Sequence, residues 1–203
     1  TAPREKDGFS RVKVWLPEGK FTDIFTGDEY KVKEGGEERI LNRTLDYIPV
    51  LAKAGTILPL SADNGNSCQN PQNFLVKVYS GNGEYVLYGD GAYYTKFKVC
   101  EENGKTVLTI AGEGNEKAIP ENRRVTVTFC GIRKGEIEFY SHGEKLAVKP
   151  DYKEELTVTF DYDPNAEYTI TATDCESEIE KLISRAARVL CSAEENVYIK
   201  QCA

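Results

Sequence analysis

The chain holds 33 Asp and Glu residues, so carboxylate pairs are easy to find in it. Two carboxyl groups placed across one bond could do acid–base or nucleophilic work on a glycosidic link, one kept protonated and the other ionised. Position decides whether any pair is suited to that. Asp23, Asp28, Asp46, Asp63, Asp90 and Asp163 all fall in turns or strand ends of polar composition, where a carboxylate is expected to be a solvated turn former. We therefore assign no catalytic residue. The single histidine, His142, sits in Ser141-His142-Gly143 without a nucleophile elbow, which excludes a serine–histidine relay. Gly112-x-Gly114 opens no helix after a strand, as a phosphate loop would. Asp90 between Gly89 and Gly91 offers far fewer oxygens than a calcium cage needs.

The six cysteines, Cys68, Cys100, Cys130, Cys175, Cys191 and Cys202, lie far apart with no CxxC pair. Zinc needs ligands clustered at short spacing, so no metal site and no cofactor are expected. An even count would permit disulfides, but a chain of this length builds its core without them, and free thiols are the expectation. Tyrosine is the one residue type with a functional reading. Tyr79, Tyr85, Tyr88, Tyr93 and Tyr94 crowd into three successive strand segments, and an aromatic ring with a polar tip suits a sugar face. Tyrosine also favours strands for packing reasons alone. Adjacent Tyr93 and Tyr94 must point to opposite faces.

With 203 residues, 40% hydrophobic and 29% charged, the chain reads as one or two globular domains with real cores. A net charge of −7 with scattered Lys and Arg argues against nucleic-acid binding. No run has the apolar length of a membrane helix, and no signal-peptide pattern opens the chain. No membrane partner is expected, and a cytoplasmic location is the expectation. Methionine is absent and the chain opens on Thr1-Ala2-Pro3-Arg4, which reads as a piece of something longer. Asn42-Arg43-Thr44 matches the glycosylation triplet and is read as a chance match.

Extended, alternating segments dominate. Val12, Val14 and Leu16 alternate with Arg11, Lys13 and Trp15, the period of a half-buried strand. Trp15 is then expected to pack against a neighbouring layer. Residues 21–25 and 29–33 predict a hairpin around Thr26-Gly27-Asp28, and 33–39 an exposed loop around Gly35-Gly36. Residues 45–53 and 56–60 are apolar strands confined to edges or bulges by Pro49 and Pro59. The polar stretch 61–73 marks a boundary. Strands are then expected at 75–79 and 84–88, joined as a hairpin through Ser80-Gly81-Asn82-Gly83, and at 93–99, 106–111, 124–129, 136–140, 145–148, 156–160 and 168–172. Short strands at such spacing predict a sandwich. From Thr173 the period changes. Thr173-x-x-Glu176 predicts a capping box, and Ile179, Leu182, Ile183, Ala186, Val189, Leu190 and Ala193 predict a helix with a buried face. The expected fold is all-β: a proximal antiparallel β-sandwich at 1–74, a distal one at 75–172 and a helical tail at 173–203.

Several motifs occur in one order: Trp15-Leu16-Pro17-Glu18-Gly19, Asp23, Phe25-Thr26-Gly27, Ile48-Pro49-Val50 and Ala54-Gly55-Thr56-Ile57-Leu58-Pro59-Leu60. That order resembles the sandwich following the catalytic barrel in glycoside hydrolase family 31, the α-glucosidase and α-xylosidase family. Glu84-Tyr85-Val86-Leu87-Tyr88-Gly89-Asp90-Gly91 is similar to the LYEDDG segment of that family's distal sandwich, with one acidic residue where members often carry two or three. The resemblance implies a non-catalytic accessory region whose partner is the catalytic barrel of a longer chain. That chain would cleave α-linked glucosides or xylosides with retention, using aspartates on barrel strands that this sequence does not contain. Two rivals remain: a carbohydrate-binding module that takes an α-glucan or oligosaccharide on the tyrosine-rich sheet, and a plain structural or adhesion sandwich.

Overall fold

The computed structural model describes residues 9–44, 48–63, 70–88, 93–152 and 154–192. The proximal part contains β1 (Phe9–Leu16), β2 (Gly19–Asp23), β3 (Glu29–Val32), β4 (Glu37–Thr44) and β5 (Leu51–Lys53). These form a β1–β4 ribbon and a three-stranded β3–β2–β5 sheet. Leu16, Phe21 and Val32 make their shared core, with Val14, Tyr30 and Leu51 packed against it. The alternation in β1 is as read from the sequence. The expected loop at 33–39 differs, because Glu37, Glu38 and Arg39 already belong to β4 and pair with Leu16, Trp15 and Val14. Ladder hydrogen bonds come from the backbone, so a charged segment can form a strand that no hydrophobic pattern announces.

The distal part adds β6 (Ile57–Ser61), β7 (Asn73–Tyr79), β8 (Gly83–Tyr88), β9 (Tyr93–Glu102), β10 (Lys105–Gly114), β11 (Arg124–Cys130), β12 (Gly135–Ser141), β13 (Glu144–Leu146), β14 (Leu156–Asp161) and β15 (Glu167–Asp174). They form a six-stranded sheet, β13-β12-β15-β10-β9-β8, facing a four-stranded sheet, β14-β11-β7-β6. Between the two lies one core cluster that includes Val76, Phe97, Leu108, Val127, Phe129, Phe139, Leu156 and Ile170. Full burial of each such side chain is worth about 1.5–3 kcal/mol. The period-2 reading of β9 holds, since Tyr93, Thr95, Phe97 and Val99 all point inward.

Three features depart from the expected layout. β6 pairs with β7 and Ile57 joins the distal core, so a strand from within 1–74 forms the edge of the distal sheet. Pro59 fits there because an edge strand has one side without ladder bonds. Second, β7 and β8 are not a hairpin: β7 bonds to β6 and β11, and β8 to β9 in the opposite sheet. Ser80-Gly81-Asn82-Gly83 carries the chain between layers. Third, β7 and β11 run parallel, Val76 beside Val127, in an otherwise antiparallel architecture.

The ends of the connection at 61–73 are pinned. The Asp63 carboxylate accepts from the Gln72 and Asn73 backbone N–H groups and from Asn73 Nδ2, which together hold its pKa below the usual value. Buried Arg123 donates to the Pro71 carbonyl (3.0 Å) and to Asn70, and lies over the Phe74 ring.

β15 runs through Asp174, and the helix α1 (Glu178–Ser192) begins after Ser177. The capping box is therefore Ser177 with Glu180: Glu180 N–H donates to Ser177 Oγ, and Ser177 N–H donates to Glu180 Oε2. Thr173 is taken by the β10–β15 ladder, where it pairs with Lys105. The expected buried helix face is also corrected. Ile179, Leu182 and Ile183 are largely exposed, while the helix is held through polar contacts, Lys134 to Glu180 (3.3 Å) and Arg185 to Asp28 (3.1 Å). Periodicity shows that one face is apolar but not what covers it. No helix among the described residues is long and apolar enough to cross a membrane.

Candidate functional site

The outer face of the β1–β4 ribbon carries Trp15 and Ile40, 61% and 58% exposed. Trp15 is opposite Glu38 and Ile40 opposite Lys13, which makes the two apolar side chains diagonal neighbours. Lys13 and Glu38 close an ion pair at 2.6 Å beside them. Gly36, at φ +73°, lets the indole lie against the backbone, since a Cβ there would be 2.5 Å from the Trp15 ring. Trp15 is thus held flat at the surface, and no neighbouring layer covers it among the described residues.

The tyrosine cluster divides. Tyr79 and Tyr93 are buried, and Tyr93 Oη donates to the Pro164 carbonyl and bonds with Tyr162 Oη. Gly112 makes room for that hydroxyl, because a Cβ there would clash with it. Tyr88, 73% exposed, and Tyr94 are cross-strand partners with rings 5.2 Å apart, edge to face. Tyr85, on the opposite side of β8, pairs with Phe97.

A cleft of about 590 Å³ opens where the proximal turn after β2 faces the outer side of β7 and β11. Thr22 to Gly27 form one wall, Lys77, Tyr79 and Cys130 the floor, and Arg133, Tyr152, Glu154 and Glu155 the far side. Each wall is fixed by hydrogen bonds. Asp23 Oδ1 accepts from the Phe25 and Thr26 N–H groups at 3.0 Å each, and Gly27 N–H donates to the Asp23 carbonyl. Opposite, Glu155 accepts from Gly131 N–H at 2.9 Å, and Tyr152 Oη donates to the Gly135 carbonyl at 3.1 Å. Burial pushes the Cys130 thiol up to about 12, with the Glu155 carboxylate adding in the same sense. Burial likewise raises the Tyr79 phenol, so Tyr79 and Cys130 add no charge to the cleft floor.

Of the turn aspartates read as solvated, Asp23 is instead fully buried as the clamp of its turn, Asp28 meets Arg185, and Asp163 caps Asn165 N–H. Asp46 and Asp90 lie outside the described residues. His142 sits exposed in the β12–β13 turn at φ +49°. Cys100, Cys130 and Cys175 are free thiols, while Cys68, Cys202 and the Cys191 side chain lie outside the described residues. Among the described residues no three potential metal ligands come together. The cleft was not legible in the sequence: Lys77, Arg133 and Tyr152 come from three separate elements and share no motif.

These layers define a class, a tandem of β-sandwich units with surface patches and a cleft at the junction. Comparison with known proteins shows what the chain is similar to. Residues 1–58 match the model of the glycosyl hydrolase family 31 C-terminal domain. The chain is 29% identical over 135 residues to an α-xylosidase of Saccharolobus solfataricus, covering 61% of this chain and 18% of the relative. It is 28% identical over 92 residues to α-glucosidase 2 of Bacillus thermoamyloliquefaciens, covering 44% of this chain and 11% of that one. In fold it is similar to a family 31 dextranase of Flavobacterium johnsoniae solved with glucose. The TM-score is 0.67 at 17% identity, over 83% of this chain and 24% of that one. The resemblance to the family 31 C-terminal sandwiches, drawn above from the motifs, is borne out, as is the all-β fold. The chain spans less than a fifth of either curated relative.

Proposed function

We propose that this chain is the non-catalytic C-terminal accessory region of a family 31 α-glycosidase, bracing a catalytic barrel that belongs to the same longer polypeptide. The longer protein hydrolyses α-linked glucosides or xylosides with retention. One observation carries the bracing role: the unit that matches the family model presents Trp15 and Ile40 as an uncovered apolar pair, and contiguous exposed apolar surface marks an interaction site. A barrel wall packed on this face would remove both side chains from water. The units act as a proximal sandwich at 1–74, a distal sandwich at 75–172 and a helical tail at 173–203, with β6 as the strand that joins the first two. Hydrolysis of p-nitrophenyl α-glucoside and α-xyloside tests the reading. The 203-residue chain should be inert, and a polypeptide extended by the residues encoded before Thr1 should be active. Inactivity of both, with no barrel encoded upstream, would refute it.

The exposure of Tyr88 beside Tyr94 favours a second reading, a carbohydrate-binding module using the β8–β9 edge. Affinity electrophoresis in starch, dextran and xyloglucan gels tests it, and unretarded migration in all three removes it.

A further inference from the structure

The cleft between the proximal turn and the distal sheet is used by neither reading above. Its size falls within the range of small-molecule sites, about 300–1,000 Å³, which favour junctions between units. Aromatic rings stand on opposite sides of its mouth, Phe25 on the proximal turn and Tyr152 on the distal loop, each about half exposed. Between them, polar side chains of both kinds converge. Among the described residues Lys77 and Arg133 close no ion pair, so their donors are available to a ligand. Glu154 and Glu155 offer acceptors beside them. Two carboxylates thus stand against two cations, the Asp23 carboxylate being buried in its turn. That balance favours no net-charged ligand and suits a neutral molecule dense in hydroxyls, which gives and accepts hydrogen bonds at every carbon and presents apolar C–H faces to aromatic rings.

We infer that this junction cleft binds a short neutral saccharide, taken between Phe25 and Tyr152, with Lys77, Arg133, Glu154 and Glu155 addressing its hydroxyls. The walls are set before the ligand arrives. The Asp23 clamp fixes the proximal turn, and Arg185 of α1 ties Asp28 of the same turn from behind. A preformed site loses little freedom on binding. Occupancy would also bridge the two units and stiffen their junction, because the ligand touches both. The choice of α-glucosyl probes rests on the proposed family function, whereas the site itself rests on the cleft.

Maltose, isomaltose and glucuronate are titrated into the full 203-residue chain, with amide chemical shifts recorded. The expected result is saturable binding of a neutral disaccharide, with shifts clustered at residues 22–27, 77–79 and 130–133. Arg133→Ala and Phe25→Ala should each weaken it about tenfold, the loss of one or two hydrogen bonds or a stacking face. Lys145→Ala, on the distant edge strand β13, should leave it unchanged, and thermal melts check that each variant is folded. Three results would overturn the inference: no saturation, preference for glucuronate, or shifts confined to β8–β9. Because this test reads binding, its failure leaves the hydrolysis test of the longer polypeptide untouched, and the reverse also holds.

Discussion

Gly55 and Asn82 meet backbone to backbone: a Cβ on Gly55 would lie 2.2 Å from the Asn82 carbonyl oxygen. Gly55 has φ +83°, and its N–H donates to the carbonyls of Tyr79 and Ser80. A Cβ on Gly81 would lie 2.6 Å from the Gly55 nitrogen, and one on Gly83 2.1 Å from the Gly55 carbonyl oxygen. The turn entering β6 and the crossover from β7 to β8 are thus one interlocked contact, and it needs glycine on both sides. Gly55→Ala combines left-handed backbone strain with a clash against a carbonyl that cannot rotate away. It should cost about 2–5 kcal/mol, read as a lower midpoint in urea unfolding. Ala at Gly104, which has φ +76° but open space around it, should cost about 1–2 kcal/mol from backbone strain alone.

The helix cap carries a pH signature. The Ser177 backbone N–H, then its hydroxyl and Lys134, hold the Glu180 carboxyl down to about 2, against an ordinary value of about 4.3. A depressed folded-state pKa gives stability that is present above the unfolded value and lost as pH falls through the folded one. The cap should stay intact at pH 4.5 and fade towards pH 2. A carboxyl-carbon NMR titration of Glu180 should show a midpoint near 2, moving up towards the ordinary value in Ser177→Ala. A midpoint near 4.3 in the unsubstituted protein would contradict the cap.

Thiol reactivity should sort by burial. Cys130 is held un-ionised up to about 12 and Cys175 is exposed, while the thiolate is the nucleophile. Iodoacetamide at pH 8, followed by peptide mapping, should label Cys175 well before Cys130 in the native chain. Unfolding in urea should remove the difference. The sign follows from the raised folded value: the stability attached to neutral Cys130 is complete below the ordinary thiol pKa and is lost as pH rises towards 12.

Local patterns were legible in the sequence where one physical cause decided the outcome. The inward row Tyr93, Thr95, Phe97 and Val99 followed from period 2, and the β2–β3 hairpin from Thr26-Gly27-Asp28. Position and ordered motifs gave the family resemblance. What failed needed knowledge of neighbours. Gly81 and Gly83 read as a hairpin because turn chemistry and close backbone approach use the same residue. Glu37 to Arg39 read as a loop because an edge strand can be polar. Thr173 read as a cap because its ladder partner, Lys105, is distant in sequence. The cleft was invisible for the same reason, since Phe25, Lys77, Arg133 and Tyr152 meet only after folding.

The central claim is that Trp15 and Ile40 form the face on which a barrel of the same polypeptide rests. The direct measurement is oxidative footprinting at both residues, in the 203-residue chain and in the polypeptide extended upstream. The account predicts rapid oxidation of Trp15 in the shorter chain and several-fold protection of Trp15 and Ile40 in the longer one, with exposed Tyr88 equally labelled in both. Equal labelling of Trp15 in the two polypeptides would contradict it.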